Sequence, residues 1–196
     1  LAKRGAWDIN DVHELSDLRS EAISSGKQYH FGLVFPLCHI KHWERPVQEH
    51  VYKGRVCFRG NDVRDESGHL AIFNDQGTQA SHMSAAKFLD LVARLPKCTG
   101  ENCDAIGAYT QAAMPQDTPT WVTLPQDQWP ELWRKRKFRN PYCRLKVALY
   151  GHPKAGLHWE QHCRKAILRA GFETLQGWEC LFVHKNKQLF RSVYVC

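Results

Sequence analysis

Three runs of this 196-residue chain carry side chains able to act on phosphate esters. The first is Cys103-Asp104-Ala105-Ile106-Gly107-Ala108-Tyr109. A carboxylate leaving a strand can hold Mg²⁺, and an aromatic ring five residues on, past a tight turn, can lie under the sugar of a nucleotide. On residue types alone Asp104 is also a helix N-cap, and Tyr109 is as readily a core ring. The second run holds Lys53 and Arg55, two residues apart and therefore on one side of a strand. They can clasp a triphosphate, the arginine supplying a bidentate fork, or they can form a solvated edge-strand face. Arg59 extends this set. The third run, Trp133 to Arg139, is basic and aromatic. It reads as a phosphate-binding patch, as a mimic of a nuclear localisation signal, or as a solvated surface.

Histidine and cysteine spacing raises zinc twice. His158 and His162 sit four apart on one helix face with Cys163 beside them, and Cys38, His39 and His42 make a second set. Neither has an evident fourth ligand, and Cys163 belongs to an apolar stripe.

The elements that would position these residues follow from periodicity. Val12, Leu15, Leu18 and Ile23 give a helix over Trp7–Lys27 that Gly26 ends. Tyr29–Leu37 and Val51–Arg59 are expected strands. In the second, Tyr52, Val56 and Phe58 share one face while Lys53, Arg55 and Arg59 form the other. A polar turn and a short return strand, Leu70–Phe73, would complete a hairpin. Ser81 opens a helix whose Ala85, Phe88, Leu89, Val92 and Leu95 make a buried stripe, closed by Pro96. Asp104 is expected at a strand end, with Asn102 on its face and Glu101 pointing away. Strands over Trp121–Leu124 and Cys143–Leu149 come next. From Pro153 a helix runs to Gly171 with Ala155, Trp159, Cys163, Ala166, Ile167 and Ala170 inward. Short strands, Phe172–Leu175, Cys180–His184 and Gln188–Val195, end the chain, the last two joined by a Lys185-Asn186-Lys187 turn. Strands and helices are mixed, so the expected class is α+β.

An apolar content of 43% and a charged content of 24%, with mean hydropathy −0.51, are those of a globular protein. No apolar run approaches the roughly 20 residues that span a bilayer, so no membrane partner is expected. The chain opens on Leu1 with no apolar stretch behind it, as if cut from a longer protein without a signal peptide. A formal charge of +7, a pI near 9.0 and 11 histidines favour a polyanionic partner. The 8 cysteines are scattered singly, which favours reduced, intracellular thiols over a disulfide framework.

Taken in order, these segments resemble the reverse transcriptase of Ty1/copia-type LTR retrotransposons, from about Tyr52 to the C-terminus. The family's fingers strand Tyr-Lys-Ala-Arg-Leu-Val-x-Arg-Gly stands here as Tyr52-Lys53-Gly54-Arg55-Val56-Cys57-Phe58-Arg59-Gly60. Its palm motif Asp-Val-x-x-Ala-Phe/Tyr is matched by Asp104 to Tyr109, and its strand ending in proline by Trp121 to Pro125. Leu145, Leu149-Tyr150-Gly151, Ala155 and Trp159 match a further signature, and Gly171-Phe172 and Glu179-Cys180-Leu181-Phe182 a last one. His152, Pro153, Lys154, Gly156 and Leu157 depart from the usual residues. So does Tyr194-Val195-Cys196, where the family has Tyr-Val-Asp-Asp.

The resemblance implies an incomplete fingers and amino-terminal palm over residues 29–196, with 1–28 as a flanking segment. It implies an RNA-directed DNA polymerase working by two-metal nucleotidyl transfer, with two Mg²⁺ in the intact enzyme, and a cytoplasmic particle or the nucleus as its setting. The implied partners are an RNA or DNA template, a primer strand and dNTP. Asp104 becomes the catalytic Mg²⁺ ligand, Tyr109 the steric gate against a ribose 2′-hydroxyl, and Lys53 with Arg55 the triphosphate clasp. With the paired acids missing, the isolated chain is expected to be inactive. The alternative is a non-catalytic, basic nucleic-acid-binding remnant of the same scaffold.

Overall fold

The computed structural model describes residues 5–73 and 83–192. In chain order its elements are β1 (Trp7–Glu14), α1 (Leu15–Ser25), β2 (His30–Lys41), β3 (Val51–Phe58), α2 (Met83–Ala93), β4 (Thr120–Thr123), α3 (Glu131–Lys135), β5 (Pro141–Leu145), α4 (Ala155–Arg169), β6 (Glu173–Leu175), β7 (Trp178–His184) and β8 (Leu189–Ser192). Among the described residues they form a five-stranded sheet in the order β1-β5-β4-β2-β3 and a three-stranded sheet β6-β7-β8. Four helices accompany these sheets, a mixed α+β architecture. No helix among the described residues is long and apolar enough to cross a membrane.

Alternation sets the central hairpin. β2 and β3 pair antiparallel from Val34 with Phe58 out to Lys41 with Val51. Side chains alternate across a strand, so Phe58 and Val56 face the larger core while Lys53, Arg55 and Cys57 face the other way. β2 also pairs in parallel with β4, Phe31 opposite Trp121 and Leu33 opposite Thr123. The larger core gathers Val34, Phe58, Val122, Trp133, Leu145 and Leu149, while a smaller cluster on the other side joins Leu18, Ala22, Tyr29, Phe31 and Trp121.

The N-terminal segment corrects the expectation of one helix over Trp7–Lys27. Its first half is β1, paired with β5 (Val12 opposite Cys143), and the helix begins at Leu15. Gly26 ends it as anticipated: at φ 63 it takes the left-handed conformation, and its N–H reaches the Ala22 and Ile23 carbonyls. Residues before 29 thus contribute an edge strand to the same sheet.

The return strand expected at Leu70–Phe73 is absent among the described residues. Gly68 closes a turn onto the Asp65 carbonyl, one bridge joins Arg64 to Leu70, and the chain then leaves the ladder so that Phe73 packs on His30. In α2 only Ala85 is buried, and Leu95, expected in the inward stripe, is exposed beyond the helix end. The Ser81 start and the Tyr194-Val195-Cys196 tail lie outside the described residues. β5 stops at Leu145, shorter than the strand expected to run to Leu149.

Candidate functional site

The two candidate triphosphate residues project from the outward face of β3. Lys53 stands opposite His39 and Arg55 opposite Leu37, and both are exposed. The Arg55 guanidinium carbon lies 5.2 Å from the centroid of the Tyr150 ring. Tyr150 in turn meets Tyr109 edge-on, with centroids 4.7 Å apart and planes at 70°. Arg55 and Tyr109, 54 positions apart in the chain, are thereby joined through a single ring. In the sequence Tyr150 belongs to the Leu149-Tyr150-Gly151 match and carries no chemical signal of its own.

Close backbone packing fixes that junction. The Phe58 N–H donates to the Tyr150 carbonyl at 2.7 Å. A Cβ on Gly60 would overlap the Gly151 carbonyl oxygen, and one on Gly151 would overlap the Phe58 carbonyl oxygen. Gly151 also holds φ +87, a left-handed value that side chains strain to adopt. An open cleft of about 650 Å³ lies here, lined among others by Leu33, Phe35, Arg59, Gly60, Asn61 and Gly151. Arg59, the weaker member of the basic set, thus borders the cleft rather than the Arg55–Tyr150 contact.

Tyr109 sits on a 3-10 turn, Ala108–Gln111, set by Gly107 at φ 64. Its ring is half-buried against the larger core, so the core-ring reading and the contact with Tyr150 hold together. Asp104 departs from expectation. It lies in an irregular stretch and not at a strand end, and residues 97–106 are all exposed. With nothing from this polar stretch buried, no apolar face holds it in a ladder. Asn102 and Glu101 are both exposed outside any strand, so neither shares a strand face with Asp104.

The stretch nonetheless passes close to α4. The Cys163 thiol of α4 is pushed up chiefly by burial; the charge of Arg191 on β8 opposes this and that of Cys103 adds to it. Cys103 therefore lies near the Cys163 thiol of α4. Among the described residues no group of three or more His, Cys, Asp or Glu side chains is placed to hold a metal ion. A single carboxylate such as Asp104 does not hold a pair of ions.

The zinc candidates engage other partners. His162 stacks on Trp159 at 5.8 Å, and His158 faces His152 at 6.1 Å. Cys38 and His39 are exposed and adjacent in β2, so they point to opposite faces. In the basic run, Trp133 is fully buried and donates its indole N–H to the Ile9 carbonyl at 2.8 Å. Arg134 bonds the Gln126 and Asp127 carbonyls and Lys135 pairs with Glu131, while Arg136, Lys137 and Arg139 are exposed.

Residue types alone did not single out a buried imidazole cluster. His152 is 5% exposed and packs on Phe58, Phe73 and His158, while His30 packs on Phe73 from β2. Burial, reinforced by the charges of His158, His30 and Lys154, holds the His152 pKa down at about 3. Burial also lowers His30 and His158, with Lys154 pushing each the same way. The one signal in the sequence was His152 standing where the resemblance expects another residue.

No family model, no curated protein and no solved structure matches the chain.

Proposed function

We propose that the chain is the fingers and amino-terminal palm of a copia-like reverse transcriptase, an RNA-directed DNA polymerase whose nucleotide lies between Lys53, Arg55 and Tyr109. The observation that carries this reading is the contact series Arg55, Tyr150, Tyr109. A cation suited to phosphate oxygens and a ring suited to a sugar lie on two sides of one tyrosine, beside an open cleft. Asp104 would contribute one Mg²⁺ ligand when the metal is bound, the chemistry supplied being stabilisation of the attacking and leaving oxygens. With a single acid to offer, the chain by itself binds dNTP and template without extending a primer.

The test is equilibrium binding of a fluorescent dNTP and its ribonucleotide counterpart. Arg55→Ala and Lys53→Ala are expected to weaken both about 10-fold or more, each charge-assisted contact being worth about 1.5–3 kcal/mol. Tyr109→Ala is expected to narrow the preference for the deoxy sugar. Unchanged binding in all three variants would overturn the assignment. Mg²⁺-dependent primer extension abolished by Asp104→Asn would overturn the claim that the chain alone is inactive.

A second reading, non-catalytic nucleic-acid binding, draws on the exposed cations Lys53 and Arg55 of β3. It expects salt-sensitive RNA binding that Asp104→Asn leaves intact and charge removal at Lys53 and Arg55 weakens.

A further inference from the structure

We propose that the outer end of the β2–β3 hairpin is a single-stranded nucleic-acid site, with Trp43 as its stacking platform and Lys41 and His39 as its phosphate contacts. The proposal deepens the polymerase reading, and rests on it only for where the strand runs next.

The outward face of the hairpin is built from alternate residues. Leu37 pairs with Arg55, His39 with Lys53 and Lys41 with Val51, so Lys41, His39, Lys53 and Arg55 share one side. Neither strand places an acid on that side. Successive cations along β3 are about 7 Å apart, twice the rise per strand residue. Such a row complements a polyanion and not a neutral or basic surface.

The turn beyond is a formed structure. Arg45 N–H donates to the His42 carbonyl at 2.9 Å, and His50 Nε2 bonds the Arg45 carbonyl at 2.9 Å. The Arg45 side chain pairs with Glu49 at 3.2 Å and Glu44 at 4.0 Å, so the two nearby acids are engaged within the turn. On this frame Trp43 stacks against His50, centroids 5.4 Å apart and planes at 24°, yet remains 69% exposed. Tyr52, also 69% exposed, follows at the start of β3. A flat ring held in place by a second ring, open to solvent and two positions past the last cation of the row, has the properties that bind unpaired bases: a π-face for stacking and charge for the backbone. A duplex, whose bases are already stacked on each other, cannot use the ring.

The experiment is fluorescence anisotropy of the whole chain with a short labelled single-stranded RNA and with a duplex of the same length, over a range of salt. The single strand is expected to bind more tightly. Trp43→Ala is expected to weaken it at least about 5-fold, the low end of what one stacked base contributes, while Trp43→Phe restores most of the loss. Lys41→Gln is expected to reduce the slope of log affinity against log salt by about 0.7, one phosphate contact to a single strand. All three variants are expected to bind fluorescent dNTP as the parent does, so failure here is distinguishable from failure of the nucleotide site. Trp43→Ala binding RNA like the parent, or equal affinity for duplex and single strand, would overturn the proposal. Both positions are exposed, so the three substitutions leave the core intact, which circular dichroism checks.

Discussion

The Arg55 guanidinium lies over the Tyr150 ring, 5.2 Å from its centroid, and this contact ties the basic strand β3 to the loop that opens α4. A cation held over an aromatic face at an exposed site contributes about 0.5–1 kcal/mol. In a double-mutant cycle of Arg55→Ala and Tyr150→Leu, followed by urea denaturation, a coupling energy of that size is expected. Additive losses would mean the two side chains are neighbours without interacting. Arg55→Lys is expected to lower the coupling, because a lysine lacks the planar group that stacks on the ring.

Gly151→Ala tests the backbone beneath the same contact. The new methyl would meet the Phe58 carbonyl oxygen while the residue holds φ +87, so both overlap and backbone strain oppose it. A loss of at least about 2 kcal/mol in unfolding free energy is expected from denaturant titration, the sum of steric and conformational costs. Gly54→Ala is the control, since a Cβ there meets nothing within 4 Å. Equal stability of the two variants would contradict the close approach of Phe58 and Gly151.

Which of these features could be read beforehand depended on how local their cause is. The basic and apolar faces of β3 follow from alternation within eight residues, and Gly26 ends α1 for a reason contained in its own backbone. β1 was hidden because it alternates poorly: only Val12 is buried among Trp7–Glu14, and its strand character comes from pairing with β5 about 130 positions away. The Asp104 stretch carries a motif but no strand periodicity, and an exposed polar run gives the chain no face to fix it as a strand. Tyr150 joins Arg55 to Tyr109 through tertiary packing, and no spacing rule connects positions 55, 109 and 150.

Trp133 shows why a basic run can mislead. Its ring is fully buried in the larger core and its N–H bonds the Ile9 carbonyl of β1, so it anchors the segment from within. Trp133→Ala is expected to cost about 3–5 kcal/mol. Trp133→Phe is expected to cost less, about 1–3 kcal/mol, as the carbonyl loses its donor while most of the apolar area stays covered. Arg136→Gln and Lys137→Gln, both at exposed positions, are expected to change stability by less than about 0.5 kcal/mol. Thermal or urea denaturation of the four variants separates anchor from surface; a tolerant Trp133→Ala would place the ring outside the core.

The imidazole cluster makes folding sensitive to acid, with a sign fixed by burial. His152 is held neutral in the folded chain, its pKa lowered from 6.5 to about 3, chiefly by burial and then by the charges of His158, His30 and Lys154. The unfolded chain binds a proton at this residue once the pH falls below about 6.5, and the folded chain does not. Its contribution to stability is therefore complete above pH 6.5 and is lost progressively as the pH drops toward 3. One such proton is worth about 1.4 kcal/mol per pH unit, so unfolding free energies from urea titrations at pH 7.5 and pH 5 should differ by about 2 kcal/mol from His152 alone. His30 and His158, both lowered, add in the same direction, though Glu66 and Asp65 moderate the shift at His30. His152→Phe keeps a ring against Phe58 and removes the titrating group, so the dependence over this range should shrink by about one proton while stability at pH 5 rises relative to the parent. A parent protein equally stable at both pH values would show that His152 is solvated and free to protonate, against the packing of Phe58, Phe73 and His158 around it.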